Sequence, residues 1–158
     1  MGCMKIRVLF TGKTTERFVA EGVEHFAGRM KRYLPFTVEV VPAVKGKMDV
    51  QRQKEKEGEA ILRAVGRDAY VVLLDERGDA LDSVSFARFM QDRMNASTRE
   101  MVFVVGGPYG VSRAVFARAD RVLQLSAMTF SHQVVRILLM EQLYRAMTIV
   151  HGEPYHHA

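Results

Sequence analysis

The chain reads as an α/β protein, a mostly parallel sheet of five or six strands flanked by helices. Three observations predict this. Short β-branched runs alternate with longer segments of helical period, the pattern of successive strand-helix-strand units. Tyr70-Val71-Val72-Leu73-Leu74 and Met101-Val102-Phe103-Val104-Val105 are apolar throughout and do not alternate, as in strands covered on both faces, so they are predicted to be central. With 158 residues and 48% hydrophobic side chains, the chain can bury one substantial core but not two. Residues 1–158 are therefore expected to form a single domain.

The first strand is expected over residues 5–10, followed by a helix over 15–33 and a second strand over 37–41. A helix over 49–65 comes next. Its run Lys54-Glu55-Lys56-Glu57-Gly58-Glu59 is mixed in charge rather than basic and reads as a solvated helix face. The third strand occupies 70–74, a helix 83–95, the fourth strand 101–105, a short helix begins at Ser112, and a fifth strand covers 121–123. The last helix, 132–151, carries Val135, Leu138, Leu139, Leu143, Ala146, Met147 and Val150 at spacings of three and four, one apolar stripe. Glu141 and Arg145 form a favourable pair one turn apart on another of its faces. That wide stripe, together with Leu81, Phe86, Phe89 and Met90, offers more apolar surface than one sheet readily covers, which points to self-association.

The formal charge of +5 is a mild bias toward anionic partners such as nucleic acid, with ordinary solubilising charge as the plainer reading. Lys13, Lys45, Lys47 and Arg52 are candidates for long-range attraction of phosphate. The single Cys3 excludes an internal disulfide and any cysteine-based metal site, and fits a reducing, cytoplasmic setting. No apolar run approaches the ~20 residues that span a bilayer, so no membrane partner is expected. Lys5 and Arg7 break up any secretory leader, and Met4 is the expected natural start.

Chemistry is expected where loops leave the strands. Three do so: Asp75-Glu76-Arg77-Gly78, Gly106-Gly107-Pro108-Tyr109-Gly110, and Leu125 to Ser131, the last opening the long helix. Such loops emerge at one rim of a parallel sheet, where backbone groups are free to hold a ligand, and glycines there allow close approach or positive φ. No G-x-G-x-x-G opens a helix after the first strand and there is no P-loop, which removes the main support for hydride or phosphoryl transfer. No metal is expected, since no cluster has ligand spacing and His156-His157 lies in a tail. His132, at a helix start, either serves a substrate or acts as a structural hydrogen-bonder. Arg136, one turn on, either holds an anion or forms a salt bridge across a dimer interface.

Val41-Pro42-Ala43, Lys45-Gly46-Lys47, Lys56-Glu57-Gly58-Glu59, Leu74-Asp75-Glu76-Arg77-Gly78, Phe103-Val104-Val105-Gly106-Gly107-Pro108-Tyr109-Gly110, Leu125-Ser126-Ala127-Met128-Thr129-Phe130-Ser131-His132 and Pro154-Tyr155-His156-His157 occur in this order. Together they resemble the RlmH family, ribosomal large-subunit pseudouridine N3-methyltransferases of the SPOUT superfamily, from Met4 to the C-terminus. The resemblance implies a C-terminal trefoil knot, S-adenosylmethionine as methyl donor, a homodimer, and 23S rRNA as substrate, expected as the assembled ribosome. It also implies that Leu74, Gly107, Leu125, Ser126, Ala127, Met128, Thr129 and Phe130 wrap the cofactor, and that the tail takes part through Tyr155 and His156. The candidate catalytic residues are thus His132, Arg136, Tyr155 and His156. A base must accept the N3 proton, and His132 or His156 reaches a physiological pKa most easily, with water or the Tyr155 hydroxyl as alternatives. Two other functions fit the same sequence: a SPOUT enzyme acting on tRNA or on a ribose hydroxyl, and a non-catalytic ribosome- or RNA-binding protein.

Overall fold

A computed structural model describes residues 3–157. The elements run β1 (Lys5–Thr11), α1 (Arg17–Met30), β2 (Phe36–Val41), α2 (Val50–Val65), β3 (Tyr70–Ala80), α3 (Ser83–Asn95), β4 (Glu100–Val105), α4 (Arg113–Arg118), β5 (Arg121–Gln124) and α5 (Val134–Val150). All strand pairings are parallel, in the order β2-β1-β4-β3-β5, so the two apolar runs of β3 and β4 are interior strands as expected.

Alternation along the strands sorts the core into two layers. Met101, Phe103 and Val105 of β4 face the layer of α1, α3 and α5, while Val102 and Val104 face α2 and α4. Three helices start on side-chain caps that satisfy otherwise orphaned N–H groups. Asp49 accepts from Arg52 N–H at 2.8 Å, Asp82 from Ser85 N–H at 2.7 Å, and Ser112 from Val115 N–H at 3.4 Å.

Three expectations are corrected. The Asp75-Glu76-Arg77-Gly78 loop is strand: β3 runs on to Ala80, and Leu123 of β5 lies opposite both Leu74 and Asp79, so the 74–80 segment curls round β5. This close wrap needs Gly78, whose Cβ would sit 2.5 Å from the Val122 backbone. The helix face at 54–59 is not uniformly solvated. Glu57 and Gly58 are buried, Gly58 directly against Ser112 and Val115 of the α4 start. Finally, Phe86 and Met90 lie within the intramolecular core, and Leu81 and Phe89 pack against it, so α3 supplies little of the spare apolar surface that had suggested self-association.

Candidate functional site

The carboxyl ends of β3, β4 and β5 frame a cavity of about 750 Å³. The position follows from the topology, because parallel strands release their following loops at one edge. Leu74 to Arg77 form one wall, Gly106 to Val111 a second, and Gln124 to Phe130 a third, with Lys54, His132 and Val135 closing the rim. All eight residues expected to wrap a cofactor line it: Leu74, Gly107, Leu125, Ser126, Ala127, Met128, Thr129 and Phe130. Residues 126–130 spend almost none of their backbone on the protein. Among the described residues, the Met128 N–H donating to Ser126 Oγ at 3.0 Å is their one backbone hydrogen bond. The remaining N–H and C=O groups are free to match the edge of a ligand such as a purine, with Leu74 and Leu125 offering its apolar faces a cover.

In the glycine loop, Gly110 rather than Gly106 or Gly107 takes the positive φ, +85°, and its N–H closes a turn on Gly107 O at 3.0 Å. Gly107 is small for a different reason. A Cβ there would point at Glu57 Oε1, 3.3 Å away, the buried carboxylate that also accepts from Val44 N–H at 3.3 Å.

The four candidate catalytic residues separate. His132 lines the cavity. Its neighbour Gln133 is buried and has a fixed orientation, because Thr15 N–H donates to its Oε1 at 2.8 Å. The amide nitrogen therefore faces Lys13 O at 3.1 Å and His132 Nε2 at 3.3 Å. An amide N–H only donates, so Nε2 accepts and the neutral ring carries its proton on Nδ1. Burial, helped by the positive charge of Arg136, lowers the His132 pKa below 6.5, which keeps the ring neutral at pH 7.

Arg136 is fully buried and does not line the cavity, so the structure supports neither an anion contact there nor a salt bridge at an interface. Its guanidinium donates to Thr11 O, Gly12 O and Thr14 Oγ1, each at 2.9 Å, and to His132 O at 3.2 Å, and it lies over the Phe10 ring. Arg136 thus ties the end of β1 to the start of α5, just behind His132. Burial without a carboxylate partner pulls its pKa down to about 10.

Tyr155 and His156 lie away from this cavity, against the carboxyl half of α5. Arg145 donates to His156 Nδ1 at 3.1 Å and to Glu141 Oε1, and Tyr155 donates its hydroxyl to the same Glu141 oxygen at 3.2 Å. The tail is therefore fixed by side chains, and burial together with the Glu141 charge pushes the Tyr155 pKa up. Gln133 carries no signal in the sequence, Glu57 reads there as part of a solvated helix face and Glu141–Arg145 as a pair within one helix, and all of them support the residues above.

The cations expected to attract phosphate, Lys13, Lys45, Lys47 and Arg52, are all exposed. Lys54 and Arg77 join the cavity rim. The Arg77 guanidinium holds the Asp75 carboxyl below the usual carboxylate range. Among the described residues no helix is long and apolar enough to cross a membrane.

Residues 4–156 match the family model described as "Predicted SPOUT methyltransferase". The ribosomal RNA large subunit methyltransferase H of Porphyromonas gingivalis is 48% identical over 157 residues, covering 98% of this chain and 99% of that protein. The protein of the same name from Parabacteroides distasonis is 45% identical over 156 residues, covering 98% and 99%. Among solved structures, a probable methyltransferase from Bordetella pertussis Tohama I aligns with a TM-score of 0.56 at 11% identity, covering 91% of this chain and 96% of that one, a likeness of fold.

Proposed function

This chain belongs to the SPOUT methyltransferase family, and from that premise we propose that it methylates N3 of a pseudouridine in 23S ribosomal RNA, using S-adenosylmethionine. One observation carries the reading: three segments far apart in sequence, at Leu74, Gly107 and 125–130, converge on one cavity, and the 126–130 wall is almost entirely uncommitted backbone. That lining suits the cofactor. Leu74 and Leu125 would cover the adenine faces, the free backbone of 126–130 would meet its edge and the ribose, and Glu57 would keep Gly107 in place as the opposite wall. When bound, the cofactor supplies an electrophilic methyl group.

The chain's own work is to orient the base and to favour loss of its N3 proton. That nitrogen sits between two carbonyls, which carry the negative charge as the proton departs, so donors aimed at those oxygens assist the reaction. His132 meets the need with its Nδ1–H. His156 accepts from Arg145 at Nδ1, so its ring N–H lies at Nε2. Tyr155 holds its proton on Glu141. With both imidazoles presenting N–H groups and the Tyr155 proton held by Glu141, the N3 proton passes to water.

Because Tyr155 and His156 do not line the cavity of their own chain, their participation requires a second copy, and we infer a homodimer in which one subunit's tail completes the other's site. Phe18 of α1 and Val84 of α3, exposed beside α5 on the same layer, are apolar surface available to such a contact. The 74–80 segment that curls round β5 supports a trefoil knot through which the chain passes to α5. The enzyme would act in the cytoplasm, on a folded ribosomal surface rather than a linear sequence. Calorimetry with S-adenosylmethionine, followed by methyl transfer to large ribosomal subunits that lack the modification, tests the proposal. Binding without transfer leaves only an RNA-binding role, and transfer to tRNA instead redirects the substrate.

A further inference from the structure

Tyr109 is solvent-facing at the mouth of the cavity, 55% exposed, and nothing in the cofactor reading uses it. The other four tyrosines are engaged: Tyr33, Tyr144 and Tyr155 pair with aromatic rings, and Tyr70 packs on Phe89 beneath Arg93. Among the described residues Tyr109 alone has neither a ring partner nor a hydroxyl partner. Its backbone, by contrast, is held firmly. Gly110 N–H bonds to Gly107 O at 3.0 Å, with Pro108 and Gly110 at the positions that tight turns favour, so the ring is presented at the tip of a short, stiff turn. An exposed aromatic that is preorganised costs little to immobilise when a partner arrives. Lys54 and Arg77 share the rim, as does Met128, 77% exposed on the facing loop.

From this placement we propose that Tyr109 is a positioning residue for the RNA substrate, its ring stacking on an unpaired base at the entrance while the rim cations meet the adjoining phosphates. A flat π-face suits every base without reading its edge, so the contact sets position and residence rather than sequence. The inference rests on the proposed RNA methyltransferase function and deepens it.

The test uses the full chain. Tyr109→Ala lowers kcat/KM for unmethylated large subunits by roughly 10- to 100-fold, the range of a lost base stack, chiefly through KM. Its calorimetric cofactor Kd stays within about twofold of wild type. Tyr109→Phe retains wild-type values, whereas Tyr109→Leu, of similar bulk but without a π-face, behaves like the alanine variant. A leucine variant as good as phenylalanine, an unaffected alanine variant, or a cofactor Kd that rises in parallel would each overturn the proposal. The sequence contains no tryptophan, so Tyr109→Trp installs a single indole reporter. Its emission is expected to be quenched by large subunits in the presence of the cofactor, and unchanged emission counts against stacking. If the wild type transfers no methyl group while the quenching persists, the proposed reaction fails and the stacking role stands.

Discussion

Replacing Arg136 by methionine removes the largest fully buried side chain and the tie between β1 and α5. The wild-type guanidinium is costly to bury. A pKa pulled from 12.5 to about 10 corresponds to roughly 3 kcal/mol of disfavoured charge at ~1.4 kcal/mol per pH unit. Against that stand four hydrogen bonds from a charged donor, each worth about 1.5–3 kcal/mol, and the packing over Phe10. Methionine fills most of the volume but leaves three backbone carbonyls and the Thr14 hydroxyl without a donor. Where those groups cannot reach water they cost about 1–3 kcal/mol each. We expect a net loss of about 3–5 kcal/mol, with Arg136→Lys intermediate because one ammonium cannot span the same acceptors. Urea unfolding at fixed protein concentration reads this directly. With a slope of about 2 kcal/mol per molar the midpoint falls by roughly 2 M. A methionine variant within about 1 kcal/mol of wild type in stability, yet devoid of cofactor binding, would refute the structural tie and restore Arg136 to the site as a functional cation.

Gly107→Val drives a branched side chain at Glu57 Oε1 and Thr11, and Ala127→Arg fills the opposite wall. Both are expected to weaken cofactor binding by roughly tenfold or more by calorimetry while the protein stays folded by circular dichroism, and wild-type affinity in both would move the cofactor elsewhere. Because the His132 pKa is held below 6.5 in the fold, its stabilising contribution is complete above that pH and is lost as pH falls through the lowered value. His132→Asn should therefore flatten the fall in Tm as pH drops below about 6.5, and identical wild-type and variant profiles would contradict that environment. Removing residues from Tyr155 onward should leave cofactor affinity nearly unchanged and reduce single-turnover methyl transfer by roughly a hundredfold, the scale of lost alignment and of a lost hydrogen-bond donor to the base, and full activity would shift the burden to His132.

Most of the architecture was legible because local signals agreed with it. The helix at Ser83–Asn95 has the predicted bounds, and the apolar runs of β3 and β4 are interior strands. The loops expected to hold the cofactor were singled out through their resemblance to a family and their strand-end positions, and they line one cavity. What escaped depended on partners distant in sequence. Asp75 to Ala80 carries turn-forming residues, and only the pairing of Asp79 and Ala80 with β5, beyond a register shift after Leu74, carries the strand through it. Glu57 lies in a run of exposed charges, and only the docking of the glycine loop and Val44 buries it. Arg136 belongs to the polar part of a helical pattern, yet four oxygens from residues 11–14 and 132 draw it inside. Nothing within 154–157 itself signals how the tail is anchored, and Glu141 and Arg145, upstream in α5, hold it.

The most direct measurement is mass-spectrometric mapping of 23S rRNA from cells with and without this gene, with purified protein and S-adenosylmethionine added back to ribosomes from the deletion strain. The expected result is one pseudouridine that carries an N3 methyl group in the wild type, lacks it in the deletion and regains it on addition of the protein. An unchanged 23S modification map, or a methyl group that appears on tRNA or on a ribose hydroxyl, would contradict the assignment.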